Sequence, residues 1–208
     1  MVKFPTHIRA AVLGLMAVLL LSACGDRFAA PAAVVDGSKI SIQSLQHELD
    51  LVLVDPQLNQ QVAGPRGESN RKDLTRRLLA ILIELRLIEG YARVNGISVG
   101  RAEVDQALQQ AIQGLGGLAQ FRRALKARGL TIEAVRRNLE RQILLRKVED
   151  RLAARAGLPA SATQSEKDRV FQQWLTQQLS SAHIDVNPRF GRLDRKSGQI
   201  VPIHSTAT

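Results

Sequence analysis

Between Arg71 and Val94 the apolar residues Leu74, Leu78, Ile81, Leu82, Leu85, Ile88 and Ala92 recur at steps of three and four. That period places them on one stripe of an α-helix, with Arg76, Arg77, Glu84 and Glu89 falling mostly elsewhere on the wheel. At 1.5 Å per residue such a helix is about 36 Å long, so its stripe needs partners along most of its length. The chain supplies them with the same periodicity. Ser41 is placed to cap a helix carrying Leu45 and Leu49, which Asp55-Pro56 stops. Arg101–Gln113 offers Val104, Leu108, Ala111 and Ile112, and Leu118–Arg128 turns Phe121 and Leu125 inward. Thr131 caps a long helix to about Ala156 with Ile132, Val135, Leu139, Ile143, Val148 and Leu152 as its inner row. Thr163-Gln164-Ser165-Glu166 is a capping box that opens a last helix through Val170, Phe171, Trp174, Leu175 and Leu179.

The remaining segments are short or aperiodic. Ala33–Val35 before Asp36-Gly37, and Ile184–Val186 near the other end, read as strands too short to stand alone, and pairing them would tie chain start to chain end. Gln57 to Asn70, with Gly64-Pro65-Arg66-Gly67, reads as a mobile loop, and residues 192–208 as a disordered tail. The expected fold is therefore mainly α, with five or six helices over residues 32–191 and the two terminal strands paired.

The first segment reads as an address. Lys3 and Arg9 precede an uncharged stretch from Ala10 to Leu21, too short to span a bilayer comfortably. Leu21-Ser22-Ala23-Cys24 then resembles the bacterial lipobox, which implies removal of residues 1–23 and acylation of Cys24, including palmitate. Residues 24–31, small and Pro-containing, read as a flexible tether. The full chain has 29 Lys and Arg against 19 Asp and Glu, a formal charge of +10. Losing Lys3 and Arg9 leaves +8. A doubly acylated anchor places the protein on the extracytoplasmic face of the cell membrane. Nucleic acid is not an expected partner there, and 3% aromatic content also argues against base-stacking modules.

The order of the pieces resembles the SurA and PrsA family of extracytoplasmic chaperone-isomerases. The resemblance is carried by Ala33-Val34-Val35-Asp36-Gly37 with Ile40-Ser41, by Leu85 to Tyr91, and by Asn95-Gly96-Ile97-Ser98-Val99 with Glu103-Val104-Asp105. It continues in Phe121-Arg122-Arg123-Ala124-Leu125, in Gly129-Leu130-Thr131, and in the long helix through Leu144-Leu145. Near the end, Phe171 to Leu179 and Ala182 to Gly191 are similar to the family's returning helix and closing strand. The resemblance implies an SurA N-terminal-like chaperone core. Catalytic members carry a parvulin isomerase domain before the returning helix, where this chain has only Leu158 to Ser165. Peptidyl-prolyl isomerase activity is accordingly not expected.

No other chemistry is legible. His7, His47, His183 and His204 are far apart and lack metal-ligand spacing, and Gly114 to Gly117 follows a helix and lacks the Gly-Lys-Ser/Thr ending of a phosphate loop. Neither a cofactor nor a metal is expected. Leu118, Phe121, Leu125, Phe171 and Trp174 are the candidates for a client-binding cleft, although core packing demands the same periodicity. Arg122, Arg123, Lys126, Arg136 and Arg137 form a candidate basic rim, read either as a solvated helix face or as an attractor for anionic lipid, wall polymer or acidic unfolded chains. The leading expectation is a membrane-anchored, ATP-independent holdase for unfolded or nascent exported proteins. The alternative is a lipoprotein adapter or dimerisation module that binds one folded partner. Breadth of peptide binding separates the two.

Overall fold

The computed structural model describes residues 30–203, so the expected signal, Cys24 and most of the expected tether fall outside the described residues. The unit beginning at Pro31 opens with strands β1 (Ala33–Val35) and β2 (Ser38–Ile40). The helices follow as α1 (Ile42–Val52), α2 (Pro56–Ala63), α3 (Gly67–Val94), α4 (Arg101–Gly114), α5 (Leu118–Ala127), α6 (Ile132–Arg155) and α7 (Gln164–Ser181). Strands β3 (Ile184–Val186), β4 (Arg192–Asp194) and β5 (Gln199–Val201) close the order. Mainly helical architecture is as expected, with seven helices among the described residues instead of five or six.

Asp36 and Gly37 both adopt positive φ, 46° and 80°, and so make the two-residue turn whose twist suits a tight hairpin. β1 pairs antiparallel with β2 on one side and with β3 on the other, Val34 lying opposite both Lys39 and Asp185. Chain start and chain end are thus tied together, as the two strand patterns predict. Further bonds extend the tie. His183 N–H donates to Asp36 Oδ1 at 2.9 Å, and Asn187 Nδ2 donates to the Pro31 carbonyl at 3.1 Å.

Helix α3 is the axis of the fold, packed by α1, α2, α6, α7, β1 and β5. Leu79, Ile83 and Leu87 form its buried centre, with Ala80, Ile88 and Ala92 beside them. This shifts the expected stripe: Ile81 is 51% exposed, and Leu74, Leu78, Leu82 and Leu85 are half-buried. The helix carries two interleaved apolar rows, and neighbours on several sides choose the one that is sealed. Glu84, on the same helix, has its carboxyl pushed above the ordinary range by burial.

The capping residues behave as their types dictate. Ser41 Oγ accepts from Ser44 N–H at 2.9 Å, Thr131 Oγ1 from Ala134 N–H at 3.1 Å, and Thr163 exchanges bonds with Glu166. Two segments read as irregular are ordered. Residues 56–63 form α2, where Pro56 sits at the first turn and Asp55 Oδ1 accepts from Gln57 N–H at 2.8 Å. The segment expected as a disordered tail folds, up to the last described residues, into the β4–β5 hairpin with Ile200 only 6% exposed. Gly191 permits this: its φ is 129°, and a Cβ there would lie 2.2 Å from the Val201 carbonyl oxygen. Arg195 then donates to the carbonyls of Leu179 and Ala182, at 2.8 and 3.0 Å, satisfying orphan acceptors at the end of α7.

Burial is divided between two cores. The larger gathers the sheet, α3, α7, Ile200 and the second half of α6 around Leu79, Ile83 and Val148. The smaller centres on Leu108, Phe121 and Leu125, with Val135 and Leu139 from the first half of α6 packed against it. Helix α6 is common to both.

Candidate functional site

The five predicted client-contact residues do not converge. Phe121 and Leu125, 2% and 9% exposed, are the centre of the smaller core, and Phe171 at 7% belongs to the larger one. Trp174 is held between aromatic neighbours, its ring centroid 5.2 Å from Tyr91 edge-on and 5.6 Å from Phe171. Only Leu118 is open to water, at 43%. Buried side chains already saturated with contacts offer a client nothing, so this assignment is corrected for Phe121, Leu125 and Phe171. The basic rim is also changed at one position: Arg136 pairs with Asp105 at 2.5 Å, whereas Arg122, Arg123, Lys126 and Arg137 remain exposed.

Apolar surface is instead left open where α3 ends. Its last residue, Val94, is 82% exposed, the most of any large apolar side chain among the described residues. Asn95 and Gly96 end the helix there, with Gly96 at a φ of 66° and Ile97 N–H returning to the Ala92 carbonyl at 2.8 Å. The chain then runs in extended form to α4 and leaves a depression on each side of the helix end. On one side a pocket of about 290 Å³ lies among the β1–β2 turn, α3 and α7, where Val94 and half-buried Tyr91 present apolar surface and the core residues Val35 and Leu87 back the wall. On the other a groove of about 570 Å³ separates α3 from α6, where half-buried Ile97, Val99 and Leu144 present apolar surface over the buried Ala92. Arg93 lines both, making one tract around the helix end.

Charged groups flank the apolar floor. Arg86 and Glu89 pair across one turn at 2.5 Å, Glu140 stands at the groove's α6 wall, and Arg155 Nη1 donates to Tyr91 Oη at 3.2 Å. Below the groove, Lys147 bonds the Ser98 carbonyl at 2.8 Å and pairs with Glu103 at 2.7 Å. The Glu103 carboxyl is held below its ordinary range, first by the Lys147 hydrogen bond and next by the Gly100 N–H. These ties fix the connection between α3 and α4, so the groove has a defined wall. An apolar floor with a mixed-charge rim suits an extended peptide carrying one or two apolar side chains.

Periodicity missed this tract because most of its residues half-serve the core. Val94 did carry a signal, as an apolar residue off the α3 stripe directly before a helix-ending Asn-Gly. No group of three His, Cys, Asp or Glu residues among the described residues is arranged to hold a metal. No helix among them is long and apolar enough to cross a membrane. No curated protein matches the chain. The family of the SurA-like N-terminal domain matches residues 6–149, a span that runs through most of α6 and includes all of the tract except the α7 contribution.

Proposed function

The chain belongs to the SurA-like N-terminal domain family, and from that premise we propose that it is a membrane-anchored, ATP-independent holdase for unfolded exported proteins. The observation that carries this reading is the open apolar tract around Val94 at the end of α3. A single exposed valine is ordinary on a protein surface; the weight lies on its continuity with the half-buried Tyr91, Ile97, Val99 and Leu144 in two adjoining depressions, which makes a patch of the kind that marks interaction sites. Capture is shallow, with an extended apolar segment crossing the helix end and its flanking charges meeting the Arg93 and Glu140 rim. Weak, fast exchange follows from so small a contact. Acylation at Cys24 holds the protein on the extracytoplasmic face of the membrane, where such segments emerge.

The reading includes no isomerase activity. Residues 156–163 join α6 to α7 directly, a connection of the length usual between packed helices. That supports a chaperone core acting without a parvulin domain at this place.

The test is an aggregation assay with the chain from residue 24 onward carrying Cys24→Ser, which keeps every described element. At equimolar ratio it should slow aggregation of an unfolded exported protein several-fold. Val94→Asp, a change at an exposed position, should lose most of that protection with its circular dichroism unchanged. Aggregation at the control rate in the presence of folded protein refutes the holdase; full protection by Val94→Asp refutes the site.

A further inference from the structure

The longest stretch without an acidic residue in the folded unit runs from Gln106 to Ile132, and it holds Arg122, Arg123, Lys126 and Arg128. In the fold it is the second part of α4, the turn that follows, α5 and the entry to α6. All four cations are exposed, and none makes an ion pair among the described residues. Other helices of the described residues also carry unpaired cations, such as Arg137 and Arg151, but there carboxylates are interspersed and neutralise neighbours such as Arg136, Arg141, Lys147 and Lys167 within 2.7 Å, whereas this stretch contains none.

Two exposed leucines accompany the unpaired cations. Leu115, 51% exposed, and Leu118, 43% exposed, flank the turn made by Gly116 and Gly117 at φ values of 81° and 102°. Leu118 and Arg122 are one helical turn apart, so greasy tip and cationic face adjoin. The inner side of α5 is occupied, since Phe121 and Leu125 fill the smaller core. The helix therefore has a satisfied face inward and a second, unsatisfied one outward.

We propose that the α4–α5 tip and the outer face of α5 form a contact surface for anionic lipid bilayers. A plane of phosphate headgroups neutralises the cations, while the acyl boundary just beneath accepts the two leucines. A soluble polyanion meets the first requirement and not the second, and a surface made for an acidic protein would leave anionic vesicles unbound. This contact is independent of the holdase tract and of acylation, since neither Val94 nor Cys24 takes part. On an anchored protein it would orient the body against the surface.

The experiment is vesicle co-sedimentation of the chain from residue 24 with Cys24→Ser. The vesicles are either phosphatidylcholine alone or phosphatidylcholine with phosphatidylglycerol. Binding is expected only to the anionic vesicles and should fall as salt is raised. The triple variant Arg122→Gln, Arg123→Gln, Lys126→Gln should bind about a hundredfold more weakly, at about fivefold per cation. Leu115→Ser with Leu118→Ser should weaken binding and leave the salt dependence intact. A control variant, Arg66→Gln, Arg71→Gln, Arg77→Gln, removes equal charge from exposed positions on another face and should bind within a few-fold of the parent. Equal binding to neutral vesicles, no loss in the triple variant, or the same loss in the control would each overturn the proposal.

Discussion

Ending the chain after Ser181 is expected to abolish cooperative unfolding. The cut removes β3, the partner of β1, and uncovers Ala33 and Val35, which are 1% and 2% exposed in the whole fold. It also removes Ile200 from the larger core, together with Ile184, Val186, Phe190 and Leu193 packed against it. Burying one such side chain fully contributes about 1.5–3 kcal/mol. One buried and four half-buried groups, with the β1–β3 hydrogen bonds, then approach the whole stability of an ordinary domain, about 5–15 kcal/mol. The α7 terminus loses its Arg195 cap at the same stroke. A thermal melt followed by Trp174 fluorescence should become shallow or vanish. A sharp transition at the parent midpoint would show that the terminal strand tie is dispensable.

Phe121→Ala should have a comparably large but local effect. The side chain is 2% exposed at the centre of a core that has only two other buried members, Leu108 and Leu125. Truncating a buried phenylalanine costs about 3–5 kcal/mol, and so small a cluster has little with which to refill the cavity. The larger core shares only α6 with it, and the remaining ties near the junction are exposed or half-exposed ion pairs such as Lys147–Glu103, which contribute little. Hydrogen exchange should therefore accelerate strongly in α4 and α5, while α3 and the Trp174 environment change little. Uniform acceleration across α3 and α7 would mean that the two cores unfold as one.

Much of this architecture was legible because local chemistry and periodicity agreed. Ser41, Thr131 and Thr163 announced three helix starts, and each accepts the backbone hydrogen bond its type predicts. The terminal strands were legible because three-residue β segments at opposite ends had no other means of support. Helix α2 was not. Its sequence has only Leu58 and Val62 as apolar residues at helical spacing, and Asp55-Pro56 ends one helix as well as beginning the next. The β4–β5 hairpin escaped for a related reason, since Leu193 and Ile200 gain their meaning only from α3 and α7 beneath them.

The proposed binding surface was the least legible feature. Phe121, Leu125 and Phe171 carry helical spacing, which a core and a cleft require equally, and the structure assigns them to cores. The open surface lies at a helix end, where spacing gives no guidance and exposure depends on what the following chain covers. Gly96, at a φ of 66°, turns the chain two residues after Val94, which stays bare.

Hydrogen-exchange footprinting with a saturating unfolded exported protein tests that surface most directly. Slowed exchange is predicted in residues 91–100 and around Leu144, with the outer face of α5 unchanged. Protection confined to α5, or none at the end of α3, would contradict capture at the Val94 tract.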